Sequence, residues 1–202
     1  MYGCRSNTGQ LPIKCSVSCD DGWFHIIDVL SALIVDYYPD AIAILIKEKY
    51  GTLRFHLANY PKEDYLLGLI NMVDSLSEIT CEKCGNKGSI YYDNWVRVRC
   101  RKHKELHEHK KEVINMNLLP FDPNTIGGMW SEMIALLLRE IKMHEEHNQM
   151  PLVNFTKFEA IAGKLSIEYS GGNRITHGMI DLLIKYANTV DPKTGEITVI
   201  DI

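Results

Sequence analysis

Two ligand pairs constrain this chain more than any other feature. Cys81-Glu-Lys-Cys84-Gly85 comes first, and Cys100-Arg-Lys-His103 follows, with fifteen residues between Cys84 and Cys100. Pairs spaced two apart, with a loop of about that length between them, make a small zinc site. Cys81-x2-Cys84 suits a tight turn whose thiolates converge on one ion, and Gly85 stands where such a turn takes positive φ. Cys100 and His103 complete a Cys3His set with no open position. The spacing therefore predicts one structural Zn2+ rather than a catalytic one. His107, one helical turn beyond His103, is an alternative fourth ligand. Between the pairs, Ser89 to Tyr92 and Trp95 to Arg99 read as short strands around Asp93-Asn94. The result is a zinc-clipped β-hairpin.

At 202 residues and 46% hydrophobic content, the chain fits one large or two small domains. Its longest apolar runs, such as Ala41 to Ile46, fall far short of the ~20 residues a membrane helix needs. No apolar leader opens the sequence, so no secretory signal is expected. Six cysteines, mostly at metal-like spacings, fit a reducing compartment and predict a cytoplasmic protein. Cys15-x3-Cys19 lacks further ligands, so Cys4, Cys15 and Cys19 read as ordinary thiols.

Charge is unevenly distributed. Cys81 to Glu112 carries nine Lys/Arg against five Asp/Glu, a local +4 beside −8 for the remainder. A basic zinc hairpin on an acidic body can face nucleic acid. The interleaved acids and the lack of a long basic run favour a solvated surface instead.

In chain order, residues 1–20 form a polar N-terminal segment. Trp23, Ile26, Ile27, Leu30, Ile34 and Tyr37 then make one helical stripe, which Pro39 ends. Ala41 to Glu48 reads as a buried strand, Tyr50-Gly51 turns it, and Leu53, Phe55 and Leu57 alternate along the next. Leu66, Leu69, Ile70, Val73 and Leu76 mark a second helix leading into Cys81. Lys104 to Ile114 reads as a polar helix and Asn115 to Gly128 as a linker.

The second half then repeats the first. Trp130, Met133, Ile134, Leu137 and Ile141 match the first helical stripe at a shift of 107. Gly163-Lys-Leu165-Ser-Ile167-Glu-Tyr169 matches Gly51-Thr-Leu53-Arg-Phe55-His-Leu57 at a shift of 112. Asp191-Pro-Lys-Thr194-Gly195 stands where Cys81-Glu-Lys-Cys84-Gly85 stood, with both thiolates lost. The expected fold is α+β: a duplicated α-β-β-α unit with the zinc hairpin inserted after the first copy. This divides the chain into 1–20, a first repeat at 21–80, the zinc hairpin and polar helix at 81–112, a linker at 113–128 and a degenerate repeat at 129–202. Glu196 to Asp201 reads as a closing strand. An internal duplication stands in for a homodimer, so a monomer or weak dimer is expected.

Gly22-Trp23, the block Lys47-Glu-Lys-Tyr-Gly-Thr-Leu-Arg-Phe55, Cys81-Glu-Lys-Cys84-Gly85, Trp95 and Cys100-x2-His103 occur in that order. This pattern, over residues 20 to 105, resembles an uncharacterised family of small bacterial and prophage-encoded proteins. The resemblance implies a zinc site and a phage or mobile-element setting, including interference with a host defence system. It implies no reaction, and the second copy departs from the family pattern.

No catalytic constellation stands out. The sequence has no Gly-rich phosphate loop, G-x-S-x-G or H-E-x-x-H. Glu48 with His56, and His144 with His147, are the remaining polar candidates. The reading is a non-enzymatic protein-interaction module that binds a host protein, with no membrane partner. The alternative is a zinc-ribbon nucleic-acid binder, and a hydrolase or nuclease ranks below both. Lys47, Lys49 and Arg54 occur in the first hairpin but not in its copy. Strand alternation puts Trp95, Arg97 and Arg99 on one exposed stripe, with Val96 and Val98 inward. These six residues are the expected partner-binding surface, because Trp and Arg dominate interface hot spots.

Overall fold

The computed structural model describes residues 11–106, 108–111, 114–116, 119–147 and 151–198. Cys4 and His107 lie outside the described residues. The fold is α+β, with four helices and three small sheets among the described residues. No helix among them is long and apolar enough to cross a membrane.

A 3-10 turn, Asp21–Trp23, leads into α1 (Phe24–Tyr37). Its stripe buries Trp23, Ile26, Ile27, Leu30 and Ile34, while Tyr37 stays exposed. Strands β2 (Ile42–Lys49) and β3 (Thr52–Ala58) form an antiparallel hairpin. Tyr50 (φ 55°) and Gly51 (φ 78°) make a two-residue turn whose twist matches the strands. Leu53, Phe55 and Leu57 are buried, as their alternation predicts. Ile44 of β2 is exposed, so that strand is not buried throughout. α2 (Asp64–Ser77) packs beneath the hairpin.

The N-terminal segment contributes more than its composition predicts. β1 (Val17–Ser18) pairs in parallel with β2 as a third strand, and Leu11 joins the core. Such a short edge strand carries no periodicity to read.

After α2 come β4 (Ser89–Asp93), β5 (Trp95–Arg99) and β6 (His109–Lys111), in sheet order β5-β4-β6. The polar helix expected over Lys104 to Ile114 is replaced by β6. β4 needs backbone partners on its second edge, and three residues of β6 supply them. Tertiary pairing overrides local propensity here. Within the expected linker, Asp122 caps a 3-10 turn, Pro123–Thr125, and Ile126 is buried.

The second half contains α3 (Gly128–Glu146), β7 (Val153–Ile161), β8 (Lys164–Gly171) and α4 (Arg174–Ala187). Asn173 and Thr176 form a capping box at the start of α4. Within the described part of the expected closing strand, Ile197 bridges Val190; residues 199–202 lie outside the described set.

The order helix–strand–strand–helix thus occurs twice, and details recur with it. Trp23 Nε1 donates to Thr80 O at 2.8 Å and Trp130 Nε1 to Ala187 O at 2.9 Å. Both hairpins shift register at matching places, between Ala43 and Leu45 and between Phe155 and Lys157.

One hydrophobic core spans both halves. At its centre α2 crosses α4. A Cβ on Gly68 would run into the Ile175 carbonyl, and one on Gly178 would run into the Tyr65 carbonyl. The contact is reciprocal, because residues 65 and 68 on one helix meet 178 and 175 on the other. Only two hydrogen-sized side chains permit backbones this close. Gly68→Ala and Gly178→Ala should each lower stability by about 1–3 kcal/mol, the usual cost of overpacking. Urea unfolding of the two variants measures this, and matching losses are expected.

Candidate metal centre

Each ligand pair sits on its own turn. Cys81 O accepts from Gly85 N at 2.8 Å and Cys84 N at 3.3 Å. Cys100 O accepts from His103 N at 3.0 Å and Lys104 N at 3.1 Å. The hairpin β4–β5 carries one turn before it and the other after it, so closing the ladder brings the four side chains together. All four ligand atoms lie within 4.8 Å of one another.

The spacing fits a tetrahedral ion. Bond lengths of about 2.3 Å to sulfur and 2.0–2.1 Å to nitrogen imply edges of about 3.8 Å between thiolates and about 3.6 Å between thiolate and imidazole. Cys84 Sγ and Cys100 Sγ are 3.8 Å apart, and His103 Nδ1 lies 3.6 Å from Cys81 Sγ and 3.3 Å from Cys100 Sγ. Cys81 and Cys100 are buried while His103 is exposed. The cluster can hold a metal ion through three thiolates and His103 Nδ1. Burial pushes the Cys84 thiol up to about 12. Metal binding must therefore displace protons, and affinity rises with pH.

The first knuckle rests directly on the start of α1. Gly22 N donates to Glu82 O at 2.9 Å, and a Cβ on Gly22 would collide with the Cys81 carbonyl. Ile90 and Val98 belong to the main core, so the hairpin has more than the Cys3His cluster to hold it. Around the knuckle runs a charged network. Arg99 pairs with Glu82, both nearly excluded from solvent, and lies 3.8 Å from Asp20, which also pairs with Lys83 at 3.1 Å. Glu82, Asp20 and the Gly22 contact were not anticipated from sequence, although the Gly22-Trp23 pair marked the place.

The expected exposed stripe is corrected at Arg99. Arg99 is buried at 6% exposure and faces Glu82. Arg97 is half-exposed and donates to Glu105 at 3.2 Å. Only Trp95, at 71%, stands free at the end of the strand. At Arg99 the cause is the first knuckle, which sets Glu82, with Asp20 nearby, against the guanidinium. The chain after Cys100 meets the neighbouring positions, with Glu105 on Arg97 and Lys104 Nζ 5.9 Å from the Tyr91 ring centroid. Val98 is buried and Val96 packs against the β2–β3 turn at Gly51, as alternation predicts.

The other candidates disperse. Lys47 lies between Ser18 and Arg54 in the β1-β2-β3 sheet, and Lys49 sits 5.5 Å over the Tyr50 ring. Arg54 turns toward α2 and pairs with Asp74. Glu48 accepts from Gly51 N at 2.7 Å and opposes Leu53, not His56. His144 Nε2 meets Asn71 Nδ2 at 3.1 Å, whereas His147 Nδ1 donates to Met143 O at 2.7 Å. Cys15 and Cys19 pack against the core, and burial raises the Cys19 thiol to about 12.

The second half keeps the knuckle backbone without ligands. Asp191 Oδ1 accepts from Lys193 N at 2.9 Å, Thr194 N at 2.7 Å and Thr194 Oγ1 at 3.0 Å. The backbone N–H of Thr194, then that of Lys193, holds this carboxyl below its ordinary range. Gly195 N still donates to residue 191 O at 2.9 Å, as Gly85 N does to Cys81 O.

Comparison with protein-family models, with curated proteins and with solved structures found no match.

The ligand cluster and the buried ion pair each have measurable consequences. Cys84→Ser should hold markedly less metal than the wild type by elemental analysis. A metal titration should show weaker binding at about pH 6 than at about pH 8. Arg99→Ala leaves the Glu82 carboxylate buried and unpaired, so it should lose about 3–5 kcal/mol. Arg97→Ala breaks only a surface pair and should stay within about 1 kcal/mol. Chemical denaturation of the two variants separates these expectations.

Proposed function

We propose that this chain is a non-enzymatic protein-interaction module built around one structural Zn2+. The observation that carries the reading is the closed Cys3His set at tetrahedral spacing, on a hairpin whose end presents an exposed tryptophan. Three thiolates with one imidazole favour zinc over harder cations, which prefer oxygen. A closed site leaves no position for substrate, so the metal's role is to fix the hairpin.

The contact surface on this reading centres on Trp95, with Arg97 beside it. The β2–β3 turn lies against β5 through Val96 and Gly51, and adds Lys49 and Tyr50. Lys47 and Arg54 lie further along the same hairpin. Arg99 supports this surface from beneath rather than contacting the partner. The resemblance to prophage-encoded proteins makes the partner a host protein, with a defence protein as one case, and the site of action the cytoplasm of a bacterial host. Recurrence of the helix–strand–strand–helix order, the tryptophan bonds and the two knuckles supports descent from one duplicated unit, and with it a monomer or weak dimer.

A second reading has its own support. Arg101, Lys102 and Lys104 are exposed beside Cys100 and His103, Lys110 and Lys111 are exposed on β6, and none of the five makes an ion pair among the described residues. Exposed cations of this kind suit a phosphate backbone.

Affinity capture from bacterial lysate, followed by reconstitution with the purified partner, tests the first reading. Wild-type protein should form a defined complex. Trp95→Ala should abolish it while keeping stability within about 1 kcal/mol, as for other surface substitutions. Unchanged binding by Trp95→Ala overturns this surface. Retention of DNA or RNA that falls steeply with salt selects the second reading instead.

A further inference from the structure

Three cations gather around Tyr91 on one face of the β5-β4-β6 sheet. Residues paired across neighbouring strands share a face, and Tyr91 is opposite both Arg97 on β5 and Lys110 on β6. Lys104 reaches the same ring from the chain after Cys100, with Nζ 5.9 Å from its centroid. Lys104 N donates to Cys100 O at 3.1 Å, so the turn that carries the metal ligands also aims Lys104 over the sheet. Glu105 pairs with Arg97 at 3.2 Å, whereas Lys104 and Lys110 are exposed without an ion pair among the described residues. Three cations against one carboxylate leave +2 at this spot, on a chain of net charge −4.

Trp95 ends the same face. Its partner in the ladder is Asp93, two residues along β4 from Tyr91, so it stands about 7 Å along the strand from the cations. The indole is exposed and has no ring contact among the described residues. Lys111 provides the contrast. It is exposed too, but it lies opposite Ile90, which is in the core, so it leaves the sheet from the other face.

We infer that this face binds single-stranded nucleic acid, with a backbone phosphate held by Lys104, Lys110 and Arg97 and a base stacked on Trp95. The inference rests on the second reading above and names the strand form that reading takes. Ammonium and guanidinium groups that lack counter-ions supply what phosphate oxygens accept from. An exposed indole offers its face to any unstacked base, whatever the sequence. A base inside a duplex already has neighbours on both faces and reaches the indole only by leaving the stack. A nucleotide carries an anion and a flat aromatic ring in one unit, and no unmodified amino-acid side chain carries both. That pairing of features, not charge alone, selects nucleic acid over an acidic protein segment.

The test titrates three probes into the zinc-loaded full chain: an oligothymidylate of about twelve nucleotides, the matching duplex, and an oligoglutamate of equal charge. Trp23 and Trp130 are buried, so quenching of tryptophan emission reports Trp95. The single strand should quench that emission and bind about tenfold more tightly than either other probe, the gain that one stacked base supplies. Its log K should fall linearly with log salt, and Lys104→Gln and Lys110→Gln should each flatten the slope by about 0.7. Lys111→Gln should leave the slope unchanged. Trp95→Ala, followed by anisotropy of a labelled strand, should weaken binding about tenfold at the same slope. Equal binding of strand and duplex overturns the inference but leaves the nucleic-acid reading standing. If no oligonucleotide binds, both fall. Equal binding of the oligoglutamate, or a slope that neither lysine variant changes, overturns the phosphate site. Capture of a protein partner through Trp95 is decided separately by its own experiment.

Discussion

The close crossing of α2 and α4 is the constraint on which the other elements depend. Gly68 and Gly178 let each helix rest on the other's carbonyls, at Tyr65 and Ile175. No other pair of helices in the described chain shares so extensive a contact. α1 and α3 each touch both central helices, and each hairpin packs on the helix that follows it. A larger residue at either glycine would push the helices apart and open the core between the hairpins. Dispersion contacts fall off steeply with even a small gap, so that loss would be felt by the whole core.

The metal knuckle is part of this frame. It touches Gly22 at the head of α1, and its hairpin lends Ile90 and Val98 to the core. The buried Arg99–Glu82 pair ties the hairpin to the knuckle with charge. Such a pair adds little net stability over an apolar replacement, because desolvation offsets the attraction. It does fix geometry, since either partner alone would be a buried charge. Burial raises the Glu82 carboxyl above its ordinary range despite Arg99 beside it. The two halves solve one local problem in two ways. In the first, thiolates and an imidazole converge at a spacing that can hold a metal ion. In the second, Asp191 accepts the N–H groups of the same turn and holds the backbone without an ion.

Much of the fold was legible in the chain. The stripe from Trp23 to Ile34 and the alternation of Leu53, Phe55 and Leu57 report burial directly, because side-chain period follows backbone geometry. The elements that were missed are short ones. β1 and β6 have two and three residues, too few for a period, and exist because a neighbouring strand needed backbone partners. Arg99 was misplaced for a related reason. Alternation gives the face a side chain takes, but not whether another segment covers that face.

The sequence alone determined the four residues that can hold a metal ion, the mixed α+β composition and the repeated helix–strand–strand–helix order. Each of these follows from residue type at fixed spacing along the chain. Tertiary structure decided the rest. It brought Glu82 and Asp20 to Arg99 and laid the segment after Cys100 over Tyr91. Those outcomes depend on which distant segments meet, and no local pattern encodes that.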